Sequence, residues 1–439
     1  MNFIKKLTIL LSIGVITFSC ENDDTLEVVK PEDPSELPEI KEPIEVTDPK
    51  DPEDPNKPTP IETEIIDPTV STSLTNELDR MFFEQLKGFG DIYDTKKNIS
   101  DYNFLNYPMY FIFKNEDGNV EKGFVINPIS TIENAVKLGE NENFGLNIYR
   151  YDKQMNDGLE ELNGADGNGL YGFDFTIKGE NNYYLQTYEK KGVKGLNGLN
   201  DITTAAHEAF HDHYQTTKAS TNSKWNFSFN LIQDEKNFPI TKELLELQLL
   251  NTEILKEFPN ITDVSLIREK MKQYVSIKSE ELELDPTSNK LILNTELEQE
   301  RLEGAPHYVE ILARREFSLL NANDPNYESF GFSTLDSDES FFTPIKGHLP
   351  FTYKIESRSS LQRVMGFDVA YPMGASVIYA INKLNKEKVQ LINSQTPYRI
   401  ISEMLNLSDS EKSRALVKAK ASVDWKKIQD RATQLLNLR

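Results

Sequence analysis

Residues 182–215 read NYYLQTYEKKGVKGLNGLNDITTAAHEAFHDHYQ, and within them the chain changes character. The aromatic-rich NYYLQTYE reads as a strand, glycines at 192, 195 and 198 end it, and from Asp201 apolar residues recur at helical spacing. Working outward, the strand signals lie before this junction and nearly all later segments read as helices. Upstream, Leu74, Leu78, Met81, Phe82 and Leu86 suit an amphipathic helix over 73–89. YPMYFIFKNEDGNVEKGFVINP (107–128) reads as a hairpin turning at Asn115–Gly118, and 144–152 and 172–177 as further strands. Downstream, helices are expected over 241–257, 264–281, 289–320, 374–386 and 410–437. Strands followed by helices predict an α+β fold. Its mixed or antiparallel sheet belongs to residues 71–200 and its mainly helical part to 201–439. A site at the junction falls in the cleft between them.

The beginning of the chain carries no fold signal. Lys5 and Lys6 precede an apolar run, Leu7 to Phe18, that is too short to cross a bilayer, which is the pattern of a secretory signal peptide over residues 1–19. Cys20 is the single cysteine in 439 residues, so no internal disulfide forms. Its position resembles a bacterial lipobox, with small Ser19 before it and Thr17 where leucine is usual. That resemblance implies a lipid anchor on Cys20 and a place at the outer membrane or cell surface.

Residues 20–70 read as an acidic, proline-rich tether. From Glu21 to Pro68 there are seventeen acids, four lysines and ten of the chain's twenty-one prolines. Such a segment buries too little apolar surface to fold. In an extended proline-type path of about 3.1 Å per residue it reaches roughly 150 Å. It contributes −13 of the formal charge of −23, so the remainder is only moderately acidic. No cluster of Lys and Arg stands beside a recognisable reading motif, which disfavours a nucleic-acid partner.

HEAFH carries the chemistry. On a helix His207 and His211 stand one turn apart on one face, with about 6 Å between their stems, so both imidazoles reach one ion. Zinc suits neutral imidazole nitrogens at about 2.0–2.1 Å, and a catalytic site keeps one position open for water. Glu208, next to the first ligand, is placed as a general base that takes the water's proton. Asn200, Asp201 and Thr203 offer N-caps, and Ile202, Ala205, Ala206, Ala209 and Phe210 supply packing positions.

These residues resemble the HExxH metallopeptidases of the zincin group. The extended form HExxHxxGxxH is not met, since Tyr214 stands at the glycine and Thr217 at the third histidine. The resemblance is therefore to the gluzincin type, whose third ligand is a glutamate from a later helix. It implies one zinc ion per chain, a peptide or protein substrate, and a zincin-like fold with the cleft between its two parts. ELEQERLEGAPHYVEILARRE (296–316) is similar to the gluzincin EG…Y.E helix and nominates Glu303, with Glu300, Glu296 and Glu310 as alternatives.

Glu303 lies 92 residues beyond His211, so residues 220–295 are expected to form an inserted helical hairpin. Where gluzincins often carry an acid four residues after the third ligand, this chain has His307, leaving Glu310 or Asp212 to orient a histidine. AYPMGASVIYAINK (370–383) resembles a Y..G segment and nominates Tyr371 to stabilise an oxyanion, with His213, His307 and His348 as alternatives. NYYLQTYE is either an edge strand able to hold an extended peptide or an interior strand. Two rival readings stand beside the peptidase: an inactive binding lipoprotein on the same fold, and a zinc hydrolase acting on another carbonyl.

Overall fold

In MYFIFK the chain places large apolar groups on both faces of one strand. Met109, Phe111 and Phe113 enter the main core, while Tyr110 and Ile112 join a second cluster with Val125, Ile132, Tyr149 and Tyr183. A strand apolar on both faces belongs inside a sheet, and the computed structural model puts it there. Strand β1 (Met109–Lys114) pairs antiparallel with β2 (Val120–Ile126) and parallel with β6 (Glu180–Glu189). With β3 (Val136–Lys137), β4 (Ile148–Tyr151) and β5 (Tyr171–Ile177), the mixed sheet runs β3-β4-β2-β1-β6-β5. NYYLQTYE is thus an interior strand, and β5 is the neighbouring edge among the described residues.

The structure describes residues 77–96, 102–114, 120–132, 135–140, 144–151, 171–177, 180–189, 196–215, 236–321, 340–342 and 355–438. The signal segment, Cys20, the tether, the Asn115–Gly118 turn and His348 lie outside them, as do the side chains of Asp212 and His213. Helix α1 (Glu77–Lys96) covers one sheet face, its Phe82 and Phe83 rings meeting Phe111 and Phe124 edge-on at 5.2 and 4.9 Å.

After the sheet the elements among the described residues are helical, giving an α+β fold. The helices are α2 (Leu196–Ala209), α3 (Lys242–Leu255), α4 (Val264–Leu284), α5 (Leu297–Leu302), α6 (Gly304–Asn321), α7 (Arg358–Arg363), α8 (Ala370–Leu384), α9 (Pro397–Leu405), α10 (Asp409–Ala421) and α11 (Trp425–Leu436). Helix α2 begins at Leu196, four and five residues before the expected caps at Asn200 and Asp201. The helix expected over 410–437 is two, because Asp424 turns back to accept from the Lys427 N–H and starts a new one. Helices α3 and α4 supply the expected hairpin.

The run Arg358–Leu384 is long and apolar enough to span a bilayer by composition, but 89% of its most apolar stretch is buried in the molecule. Its α8 part is the central core helix, and it comes unusually close to the α5–α6 junction. A Cβ on Gly304 would sit 2.5 Å from the Gly374 Cα, and one on Gly374 would sit 1.9 Å from the Glu300 carbonyl oxygen. Backbone rather than a movable side chain blocks both positions. Gly374→Ala is therefore expected to cost at least about 3 kcal/mol, the upper end for overpacking, measured by denaturant unfolding.

A charged cluster is buried where α4 meets α5. The Lys278 Nζ stands 2.6 Å from Glu281 Oε2, 2.6 Å from Glu296 Oε1 and 3.5 Å from Glu300 Oε1. Tyr274 donates to Glu300 at 2.7 Å and Asn251 to Glu281 at 3.0 Å, while Asp285 adds a further negative charge near Glu296. Three carboxylates share one ammonium, and burial pushes Glu281 and Glu300 up to about 7 against the pull of Lys278. A carboxyl raised in this way binds its proton more tightly when folded. Its stabilisation is complete below about 4.5 and is lost as pH rises through about 7. Glu281→Gln is expected to raise the melting temperature at about pH 8 and to flatten its fall between about pH 5 and 8. A lower melting temperature at the alkaline end would contradict this.

Candidate metal centre

The site begins with a proline. Pro306 has no N–H, so the Leu302 carbonyl, four residues earlier, lacks the helical partner it would otherwise have. The helix breaks between α5 and α6 with Glu303 at the break. Gln215 fills the gap, its Nε2 donating to the Leu302 carbonyl at 2.8 Å. That bond fixes which end of the Gln215 amide faces the other way. Its Oε1 meets His211 Nδ1 at 2.6 Å, so His211 carries a proton on Nδ1.

His207 is fixed by the same logic. Its Nδ1 stands 3.1 Å from Glu310 Oε2, an acceptor, and therefore carries a proton. In the neutral rings both Nε2 atoms then present lone pairs, and they face each other at 3.3 Å. Glu303 Oε2 completes the triangle, 3.4 Å from His207 Nε2 and 3.1 Å from His211 Nε2. Donors held at about 2.0–2.1 Å by one tetrahedral ion stand roughly 3.3–3.4 Å apart. Three electron-rich atoms at this spacing repel unless a cation or a proton lies among them, so the donor set fits a divalent metal.

The electrostatics follow from burial. Burial opposes a charged His207, yet its hydrogen bonds to Glu303 and Glu310 lift it to about 10, and His211 is raised for similar reasons. Burial alone would raise Glu303 and Glu310, but the facing imidazoles hold both well below the usual carboxylate range. In the metal-free protein protons thus take the place of the cation, and metal binding releases them. Glu208 behaves differently: burial lifts it to about 7, against the pull of His207 and His211. That value suits a base working near neutral pH.

The elements around the site place it at the expected junction. Helix α2 lies against β6 and α6. Tyr102, ahead of β1, donates its hydroxyl to the Ala206 carbonyl and packs edge-on against Phe210 at 4.7 Å. His211 sits in a π-helical turn, Phe210–Gln215, of the widened kind that often occurs at functional sites. Tyr371, near the start of α8, lays its ring on His207, with centroids 5.8 Å apart and planes 17° apart. Three residues on, Gly374 makes the close contact with Gly304, so one backbone approach sets Tyr371 relative to Glu303.

Of the nominated residues, His207, His211 and Glu303 converge, and Glu208 and Tyr371 adjoin them. The alternatives to Glu303 are engaged elsewhere. Glu296 and Glu300 face Lys278, and Glu310 orients His207. His307 donates from Nε2 to the Phe341 carbonyl at 2.7 Å and stands 3.6 Å from Glu310. Sequence reasoning did not single out Gln215, although its position four residues after His211 puts it on the same helical face. It also missed Gln299, which donates to Glu303 Oε1 at 3.3 Å.

Gln215→Ala strips the partner from both His211 Nδ1 and the Leu302 carbonyl. It is expected to weaken divalent-metal binding at this group about 10–100-fold, the range for residues that orient metal ligands, as read by competition with a chelating dye. The chain matches no family model, no curated protein and no solved structure.

Proposed function

We propose that this chain is a zinc-dependent metallopeptidase of the gluzincin type with a zincin-like arrangement, acting outside the cytoplasm from a lipid anchor on Cys20. The observation that carries the reading is the triangle of His207 Nε2, His211 Nε2 and Glu303 Oε2, with edges of 3.1–3.4 Å and both Nδ1 atoms committed as donors. His207, His211 and Glu303 would hold the ion. When bound, zinc polarises a carbonyl and makes water a nucleophile near neutral pH.

The chain's own groups do the rest. Glu208, buried beside His207 and His211, accepts the proton of the attacking water and delivers it to the departing amine nitrogen. Glu310 and Gln215 hold the two imidazoles in the tautomer that leaves Nε2 free. The Tyr371 hydroxyl is assigned to the developing oxyanion, a role supported by its ring lying against His207. The tether, at roughly 150 Å when extended, gives the catalytic part reach from the membrane.

The test is hydrolysis of an unfolded protein such as casein by the purified chain. Activity that disappears with a chelator and returns with stoichiometric zinc supports the peptidase reading. Zinc binding without peptide cleavage, but with hydrolysis of another carbonyl, would replace it by the non-peptidase hydrolase. Absence of zinc binding would leave an anchored binding protein.

A further inference from the structure

Glu303 must be presented at a fixed point, and the short helix α5 that ends beside it is held from three sides. Gly374 of α8 abuts the Glu300 backbone, and Gln215 grips the Leu302 carbonyl. The third side faces α4, and there the contact is ionic. Lys278, wholly buried, lies 2.6 Å from Glu281 on its own helix and 2.6 Å from Glu296 in the turn that leads into α5. Tyr274, one turn earlier on α4, donates to Glu300 at 2.7 Å. From α5 the connection to the metal ligand is direct: Gln299 donates through its side chain to Glu303 Oε1 at 3.3 Å and accepts the Glu303 N–H at 2.9 Å.

We propose that Lys278 and Tyr274 are positioning residues for the metal centre, fixing through Glu296 and Glu300 the helix that presents Glu303. The inference rests on the reading of His207, His211 and Glu303 as metal ligands. Stability alone does not account for the cluster, because a buried group of charges is usually matched or bettered by apolar residues of the same volume. What charges supply is register. The short Lys278–Glu296 contact and the Tyr274–Glu300 hydrogen bond tie α5 and the turn before it to α4 at one offset, whereas an apolar seam allows sliding. A metal site tolerates only about 0.2 Å in its ligand distances, so a slide of α5 too small to unfold anything would still spoil the Glu303 position.

The experiment compares zinc affinity with the melting temperature of the metal-free, full-length protein. Lys278→Met combined with Glu281→Gln removes one charge of each sign and leaves Glu296 and Glu300 without their cation. Glu281→Gln alone keeps those contacts and is the reference. The double variant is expected to bind zinc about 10–100-fold more weakly than the reference, and Tyr274→Phe about 3–10-fold more weakly than wild type, with little change in its metal-free melting temperature. A merely structural cluster would lower the melting temperature and leave the affinity of the folded protein unchanged; wild-type affinity in both variants overturns the proposal. Should the double variant not fold, Tyr274→Phe decides, since it removes one hydroxyl and keeps the ring. A wild-type protein that binds no zinc overturns the metal reading itself and this inference with it, a result distinct from unchanged affinity in the variants.

Discussion

Glu208→Gln is expected to keep one zinc ion per chain and to lose hydrolysis by about 10²–10⁴-fold, the range for removing a general base. Glutamine keeps the shape and the hydrogen-bonding capacity of the side chain, and Glu208 belongs to neither the ligand triangle nor the groups that orient it. Zinc affinity and melting temperature should therefore stay near wild type while kcat falls. The reason for expecting so large a loss is that a carboxylate can take the water's proton and an amide cannot. A variant with wild-type kcat would remove Glu208 from the mechanism; one that also lost zinc would make it a ligand or a structural group.

Glu303→Ala should act on the other half of the site. Residues that only orient metal ligands cost about 10–100-fold in affinity, so loss of a ligand is expected to exceed about 100-fold. Two imidazoles alone leave the ion under-coordinated, and activity should fall with occupancy. Glu298→Gln, five residues earlier and paired with Arg301, is the control and should bind zinc as wild type does. Equal affinities in the two variants, by dye competition, would show that the third donor comes from elsewhere.

Much of this site was legible because it is local. Two histidines four apart and a glutamate beside the first specify a geometry that a helix enforces without help. The continuous apolar run of MYFIFK and the turn residues after it likewise gave a strand and its hairpin partner. What escaped depends on distant partners. The acids of 296–303 suggest a solvated helix face, yet Glu296 and Glu300 are buried because Lys278 reaches them from another helix. Pro306 stood in plain view, but its effect, freeing a carbonyl for Gln215, requires α2 and α5 to be neighbours. Helix α9 had its signals in Thr396 as cap and Pro397 in the first turn; they lay outside the segments read as helical.

The most direct measurement is anomalous diffraction at the zinc edge from crystals of the zinc-loaded protein. The expected result is a single peak, about 2.0–2.2 Å from His207 Nε2, His211 Nε2 and a Glu303 carboxylate oxygen. A peak elsewhere, or none at that point with zinc in excess, would contradict the account.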